Sequence, residues 1–196
     1  MSRRFELVER NALIDEVLSA FAASLGADSA AYRGHAYRVF NLSRRLLGSG
    51  RKDDELAVSS VFHDLGIWSD KTFDYLEPSL ARANDFLAER RPELPASLVA
   101  EVIRNHHLLR RVRGGAEPEV VEAFRRADLV DVSGAWFRAG LERSFLRELG
   151  AAFPYAGFHG VLLRTALSWF VRHPLRPLPM LRLSATHGAP ALDRHT

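Results

Sequence analysis

Cysteine is absent from this sequence of 196 residues. That excludes disulfides and thiolate chemistry, and leaves any metal to nitrogen and oxygen ligands. Lysine is nearly absent: only Lys52 and Lys71 occur, and arginine supplies the other basic side chains. The formal net charge is only +3. An arginine bias of this kind follows base composition as readily as function, so it is not read as a nucleic-acid surface. Uninterrupted apolar runs are short, none near the roughly 18 residues needed to span a bilayer. The first ten residues, M-S-R-R-F-E-L-V-E-R, lack the apolar core of a signal peptide. Strand-like alternation and internal repeats are missing as well. These absences point to a cytoplasmic, soluble protein with no membrane partner.

Hydrophobic residues make up 47% and charged residues 26%, an ordinary globular balance, and the length suits one domain over residues 1–196. Helical periodicity runs through Leu7, Leu13, Val17 and Phe21 over Phe5–Leu25 and ends at Gly26. Ser29 is placed to cap a second helix carrying Tyr32, His35, Val39, Leu42 and Leu46, closed by Gly48 and Gly50. Asp53 or Asp54 can cap a third, which runs into His63–Asp64 and stops at Gly66. A loop rich in aromatic and charged residues, Ser69–Pro78, leads to helices over Ser79–Arg90 and Ala96–Leu109. Pro118 opens another over Glu119–Val132. Helices over about Leu141–Ala152 and Phe158–Val171 follow, then a Pro-rich tail from His173. The fold class expected is all-α, a single-domain helical bundle.

Helical phasing selects the chemistry. His35 shares the apolar stripe of Val39, Leu42 and Leu46. Asp64 falls with Ala57 and Val61, and His63 with Leu56 and Ser60. Asp128 falls with Val120, Val121 and Phe124, a carboxylate on an apolar face. Buried charge of this kind is costly unless something compensates it. Two His and two Asp from three helices fit one divalent metal, with positions left for water.

In that order on a helical chain, His35, the pair His63–Asp64 and Asp128 resemble the HD-domain superfamily of metal-dependent phosphohydrolases, over about residues 28–133. The resemblance implies an HD-type helical bundle core and one divalent ion (Mn, Fe, Co, Ni, Zn or Mg) held by these four side chains. The added helices would span 134–172 and the tail 173–196. It also implies hydrolysis of a phosphate ester, a nucleotide or another small molecule, by metal-activated water. Asp64 would both hold the ion and orient the water. Matching the family's Ala-Asp to Ala127–Asp128 favours Asp128 as ligand, with Asp131, one turn on, as the alternative.

Two departures from the family pattern matter. One large branch reads H-D-I-G-K, and Ile67 stands where its substrate-facing Lys would be; Lys71 is the candidate to reach in from the loop. Members with two metals carry two well-separated extra histidines, whereas here His106 and His107 are adjacent, which favours one ion. His106, in phase with Val99, Val102 and Ile103, is assigned with Asp64 and Lys71 to catalysis. His107, Arg104 and Arg110 are assigned to substrate binding, since an Arg fork suits phosphate. A homodimer is left open, and no nucleic acid is expected as partner. The rival readings are an HD-fold hydratase or iron oxygenase, and a non-catalytic nucleotide-binding HD module.

Overall fold

The computed structural model describes residues 5–48, 50–176 and Pro179. The chain is all-helical, with no strand among the described residues. Its helices are α1 (Ala12–Ala20), α2 (Ala22–Leu25), α3 (Ser29–Leu47), α4 (Asp53–Phe62), α5 (Gly66–Ser69), α6 (Leu76–Arg90), α7 (Ala96–Asn105), α8 (Pro118–Val132), α9 (Arg143–Ala152) and α10 (Phe158–Arg172). A 3₁₀ turn over Gly26–Asp28 precedes α3. The Pro-rich tail expected at 173–196 falls, beyond Arg176 and apart from Pro179, outside the described residues. No helix among them is long and apolar enough to cross a membrane.

The bundle is organised around α3. Its buried positions run almost continuously from Ala31 to Arg44, so neighbours cover most of its circumference. The α8 helix packs along it most extensively, and α4 lies on another side. In α4 every residue from Leu56 to Phe62 is buried, as expected for a segment apolar nearly all round. The α7 helix bridges α4 and α8 and presents Leu98, Val99, Val102 and Ile103 inward. These four helices converge where α4 and α7 end.

Several helix boundaries differ from the sequence reading, each for a local reason. The first helix begins only at Ala12, because the Asn11 side chain accepts the N–H groups of Leu13 and Ile14 and so caps it there. The segment before it is tied to α3 instead: Val8 donates to Asn41 Oδ1 at 2.8 Å, and Asn41 Nδ2 donates back to Val8 O at 3.1 Å. Asp53 is the first residue of α4 rather than its cap, which is Lys52 in a left-handed conformation. Ser29 likewise stands inside its helix, its hydroxyl donating back to Gly26 O. The α6 helix starts at Leu76, its Pro78 sitting in the first turn where a missing N–H leaves no bond unmade. The α7 helix ends at Asn105, before the histidine pair.

Gly66 does not stop a helix; it opens α5. Its role is close approach. A Cβ there would lie 2.7 Å from Tyr75 O, 3.0 Å from Pro78 Cβ and 3.1 Å from Ser79 N, all held by the start of α6. The Gly66 N–H is satisfied by the buried Ser79 hydroxyl at 2.9 Å. This contact clamps the turn carrying His63 and Asp64. Gly66→Ala should therefore destabilise the protein by about 1–3 kcal/mol through overpacking, despite alanine's better helix propensity. Denaturant unfolding measures this; a variant as stable as wild type would show that the clamp is loose.

Candidate metal centre

His35 comes from the middle of α3, His63 and Asp64 from the turn ending α4, Asp128 from α8, and His106 from the residue after α7. His35 and His63 are fully buried, and Asp64, His106 and Asp128 nearly so. The four side chains assigned to a metal from the sequence thus do converge, with His106 beside them.

The helix ends set the histidine tautomers. The last carbonyls of a helix have no intrahelical donor. His63 Nδ1 donates to Ser60 O at 3.0 Å, and His106 Nδ1 donates to Ile103 O at 2.7 Å. Each ring therefore satisfies an orphan carbonyl with Nδ1 and turns Nε2 inward. His35 reaches the same state differently, with Nδ1 donating to Asp131 Oδ2 at 2.8 Å. When the three rings are neutral, each Nε2 carries a lone pair.

Those lone pairs and the carboxylates point at one another. His35 Nε2 and His63 Nε2 are 2.9 Å apart. Asp64 Oδ2 is 3.6 Å from both nitrogens, and Asp128 Oδ1 is 3.8 Å from His35 and 3.6 Å from His63. Asp64 Oδ1 faces His106 Nε2 at 3.4 Å. Asp64 Oδ1, Asp128 Oδ1 and His106 Nε2 are buried without a hydrogen-bond partner. Ligands about 2.1 Å from one ion stand roughly 3.0–3.6 Å from each other, close to these separations. Buried acceptors turned inward with nothing to accept from are what a cation site requires. The residues fit a metal ion: ligand atoms of His35, His63 and Asp64 lie within 4.8 Å of one another, and Asp128 Oδ1, 3.6–3.8 Å from both ring nitrogens, would join them.

Asp131, the alternative ligand in the sequence reading, has a different place. It grips His35 Nδ1 and is itself clamped by Arg38, whose Nε donates to Oδ1 at 2.5 Å and Nη2 to Oδ2 at 3.0 Å. Arg38 is almost wholly buried. Its Nη1 donates to the carbonyls of Phe153 and Pro154 at 3.0 and 3.1 Å, and its guanidinium lies 3.9 Å from the Tyr155 ring centroid. Sequence reasoning passed over Arg38, although it lies one helical turn beyond His35, as Asp131 lies one turn beyond Asp128. Phe158 of α10 stacks on the His35 ring at 4.1 Å between centroids.

His107 is half-buried and bonded to the Tyr75 hydroxyl, and it offers a ring nitrogen within 4.8 Å of ligand atoms of Asp64 and His106, a second group able to hold a metal ion. Burial first, and then the His106 charge, push its pKa down to about 3, so it accepts and Tyr75 donates. Tyr75 stays protonated because burial and the Asp64 and Asp128 charges raise its pKa well above the usual range. The remaining assigned residues lie further out. Arg104 is half-buried on α7, 3.8 Å from Glu77, and Arg110 is exposed beyond that helix. Lys71 is exposed in the α5–α6 loop, beside α10, where it lines a cleft with Ile67 and Arg164. No hydrogen bond or ion pair of Lys71 or Arg110 with the four metal-facing side chains is seen among the described residues.

Charge is unevenly balanced in the centre. Burial lowers the His63 pKa, but the Asp64 charge and the Asp128 hydrogen bond and charge outweigh it and lift the pKa to about 9. Burial opposes ionisation of Asp64, Asp128 and Asp131, yet their cationic neighbours hold all three below the usual carboxylate value. The signs of the pH dependence follow. The raised His63 pKa stabilises the metal-free fold fully below its ordinary 6.5, and that contribution disappears as pH rises through about 9. The depressed carboxylates contribute above their ordinary range and lose it in acid. An ion must displace the His63 proton, so its affinity rises across the same alkaline window. With chelator, the melting temperature should therefore fall between about pH 6.5 and 9, while the upward shift caused by excess Mn should grow. Asp128→Asn should shrink the Mn-induced shift at every pH; a shift equal to the wild type's would remove Asp128 from the site.

No family model matches the chain, and no curated protein or solved structure matches it either.

Proposed function

We propose that the chain is a metal-dependent hydrolase of the HD type, acting as a phosphohydrolase on a nucleotide or another small phosphate ester. The observation that carries this reading is the inward convergence of His35 Nε2 and His63 Nε2 at 2.9 Å beside two buried carboxylates. Its order along the chain, H…HD…D, supports the family resemblance. When bound, the ion supplies Lewis-acid polarisation of a phosphoryl oxygen and acidifies water.

The side chains divide the remaining work. Asp64 has two differently placed oxygens: Oδ2 faces the His35–His63 pair, and Oδ1 faces His106. The first suits ion binding, and the second orients a water by accepting its proton in a hydrogen bond. His106 Nε2, which faces that carboxylate oxygen at 3.4 Å, is positioned to hold a proton taken from water or given to a leaving oxygen. Its Nδ1, bonded to Ile103 O, keeps the ring from turning away. Asp131 and Arg38 keep His35 in the tautomer that leaves Nε2 for the ion. Phe124 and Phe158 wall the rings and exclude solvent.

Protein purified without added metal should hold about one equivalent of divalent ion by elemental analysis, and His63→Ala should lose it. A panel of nucleotides and simple phosphate monoesters assayed with Mn, Fe, Co, Ni, Zn and Mg should reveal turnover. Asp64→Ala should lower that turnover by at least about a hundredfold. His106→Ala should retain the ion and still lose about a hundredfold in rate. Failure of metal-replete protein on every ester would sink the phosphohydrolase reading and leave hydration or iron-dependent oxidation. Full metal occupancy in His63→Ala would sink the centre itself.

A further inference from the structure

A second feature lies outside the buried cluster, where the loop after α5 meets α10. Lys71, Thr72, Arg164, Thr165 and Arg172 line a cleft of about 300 Å³, with Phe73 and Trp169 forming an aromatic wall. Three of the lining side chains are cations and none is a carboxylate. Arg164, Thr165, Ser168, Trp169 and Arg172 recur at the spacing of one helical face, so α10 turns its polar side to the cleft. Its exposed apolar residues, Leu163, Leu167 and Val171, fall between them.

The positive charge is only weakly answered by protein groups. Arg164 reaches Asp28 Oδ2 at 3.5 Å, and that oxygen already accepts the Trp68 indole N–H at 3.0 Å. Arg172 is held to its own helix by Ser168. No ion pair to Lys71 is seen among the described residues.

We infer that this cleft binds the phosphate group of a small anionic ligand, held by Lys71, Arg164 and Arg172 with the Thr72 and Thr165 hydroxyls. Its size is at the lower end of small-molecule sites, about 300–1,000 Å³, which suits one or two phosphate groups. Arg forks and a Lys point charge are the usual donors to phosphate. Ile67, on the turn after Asp64, forms part of its floor, so the same short segment serves the metal centre and the cleft. That the ligand is the substrate's own phosphate rests on the hydrolase reading; that an anion binds here does not.

The test uses inorganic pyrophosphate as probe and the three tryptophan indole N–H signals of the metal-replete full chain, with Trp169 assigned through Trp169→Phe. Pyrophosphate should shift the Trp169 signal saturably. Lys71→Ala combined with Arg164→Ala should weaken binding by about tenfold or more, as should Arg172→Glu, with metal content unchanged. Arg147→Ala, on the exposed side of α9, should leave affinity as in wild type. An unmoved Trp169 signal, equal affinity in the cleft variants, or equal loss in Arg147→Ala would overturn the site. Pyrophosphate binding without turnover of any ester would uphold the cleft while the hydrolase reading falls. Turnover with no effect of pyrophosphate at Trp169 would do the reverse.

Discussion

The approach of His35 Nε2 and His63 Nε2 to 2.9 Å is the constraint on which the centre depends. Two neutral imidazole lone pairs cannot face each other at that distance in a dry interior without positive charge between them. The surroundings forbid the easy escape of a ring flip, because each Nδ1 is committed. One satisfies a helix-terminal carbonyl and the other a carboxylate. The protein therefore accommodates either a shared proton or a cation. The raised His63 pKa, about 9, expresses the proton's side of that competition.

Placement of the centre at helix ends is what makes it inexpensive for the fold. The α4 and α7 helices would each end in a buried carbonyl with no donor, and His63 and His106 cap them while turning Nε2 into one space. The centre's geometry is thus tied to the bundle's own packing. Arg38 extends this tie. Through Asp131 it fixes His35, and through Phe153 and Pro154 it fastens the segment after α9 to the core. Gly34 allows that approach: a Cβ there would lie 2.6 Å from Pro154 O and 2.8 Å from Arg38 Nη1.

How much was legible in the sequence follows from the same physics. Periodicity marked the helices, and polar residues on apolar stripes marked His35, His63, Asp64 and Asp128, because phasing is a property of one helix at a time. Asn11 made the first helix start late, because a side-chain cap outweighed the apolar pattern continuing upstream. The separate places of Asp128 and Asp131 could not be assigned from phasing, since both lie on the inward face of α8. What separates them is Arg38, a partner from another helix. Lys71 was assigned to catalysis as the loop lysine that could stand in for the Lys that Ile67 replaces, and its rarity drew attention to it. The loop instead carries it to α10, and that path depends on the α5–α6 contact at Gly66 rather than on any local pattern.

Charge balance gives the centre a preference among cations. Asp64, Asp128 and Asp131 are all held ionised, contributing three negative charges in one buried region. Arg38 offsets one of them by direct contact with Asp131. A proton on His63 offsets one more and leaves Asp64 and Asp128 with a single countercharge between them. A dication, with the histidines neutral, offsets both and also supplies partners for the orphaned oxygens of Asp64 and Asp128. A monovalent ion would leave the same deficit as the proton without its short bonds. Arg38 thus removes Asp131 from the balance and leaves a charge of two, which a divalent ion held by the buried His/Asp group could meet.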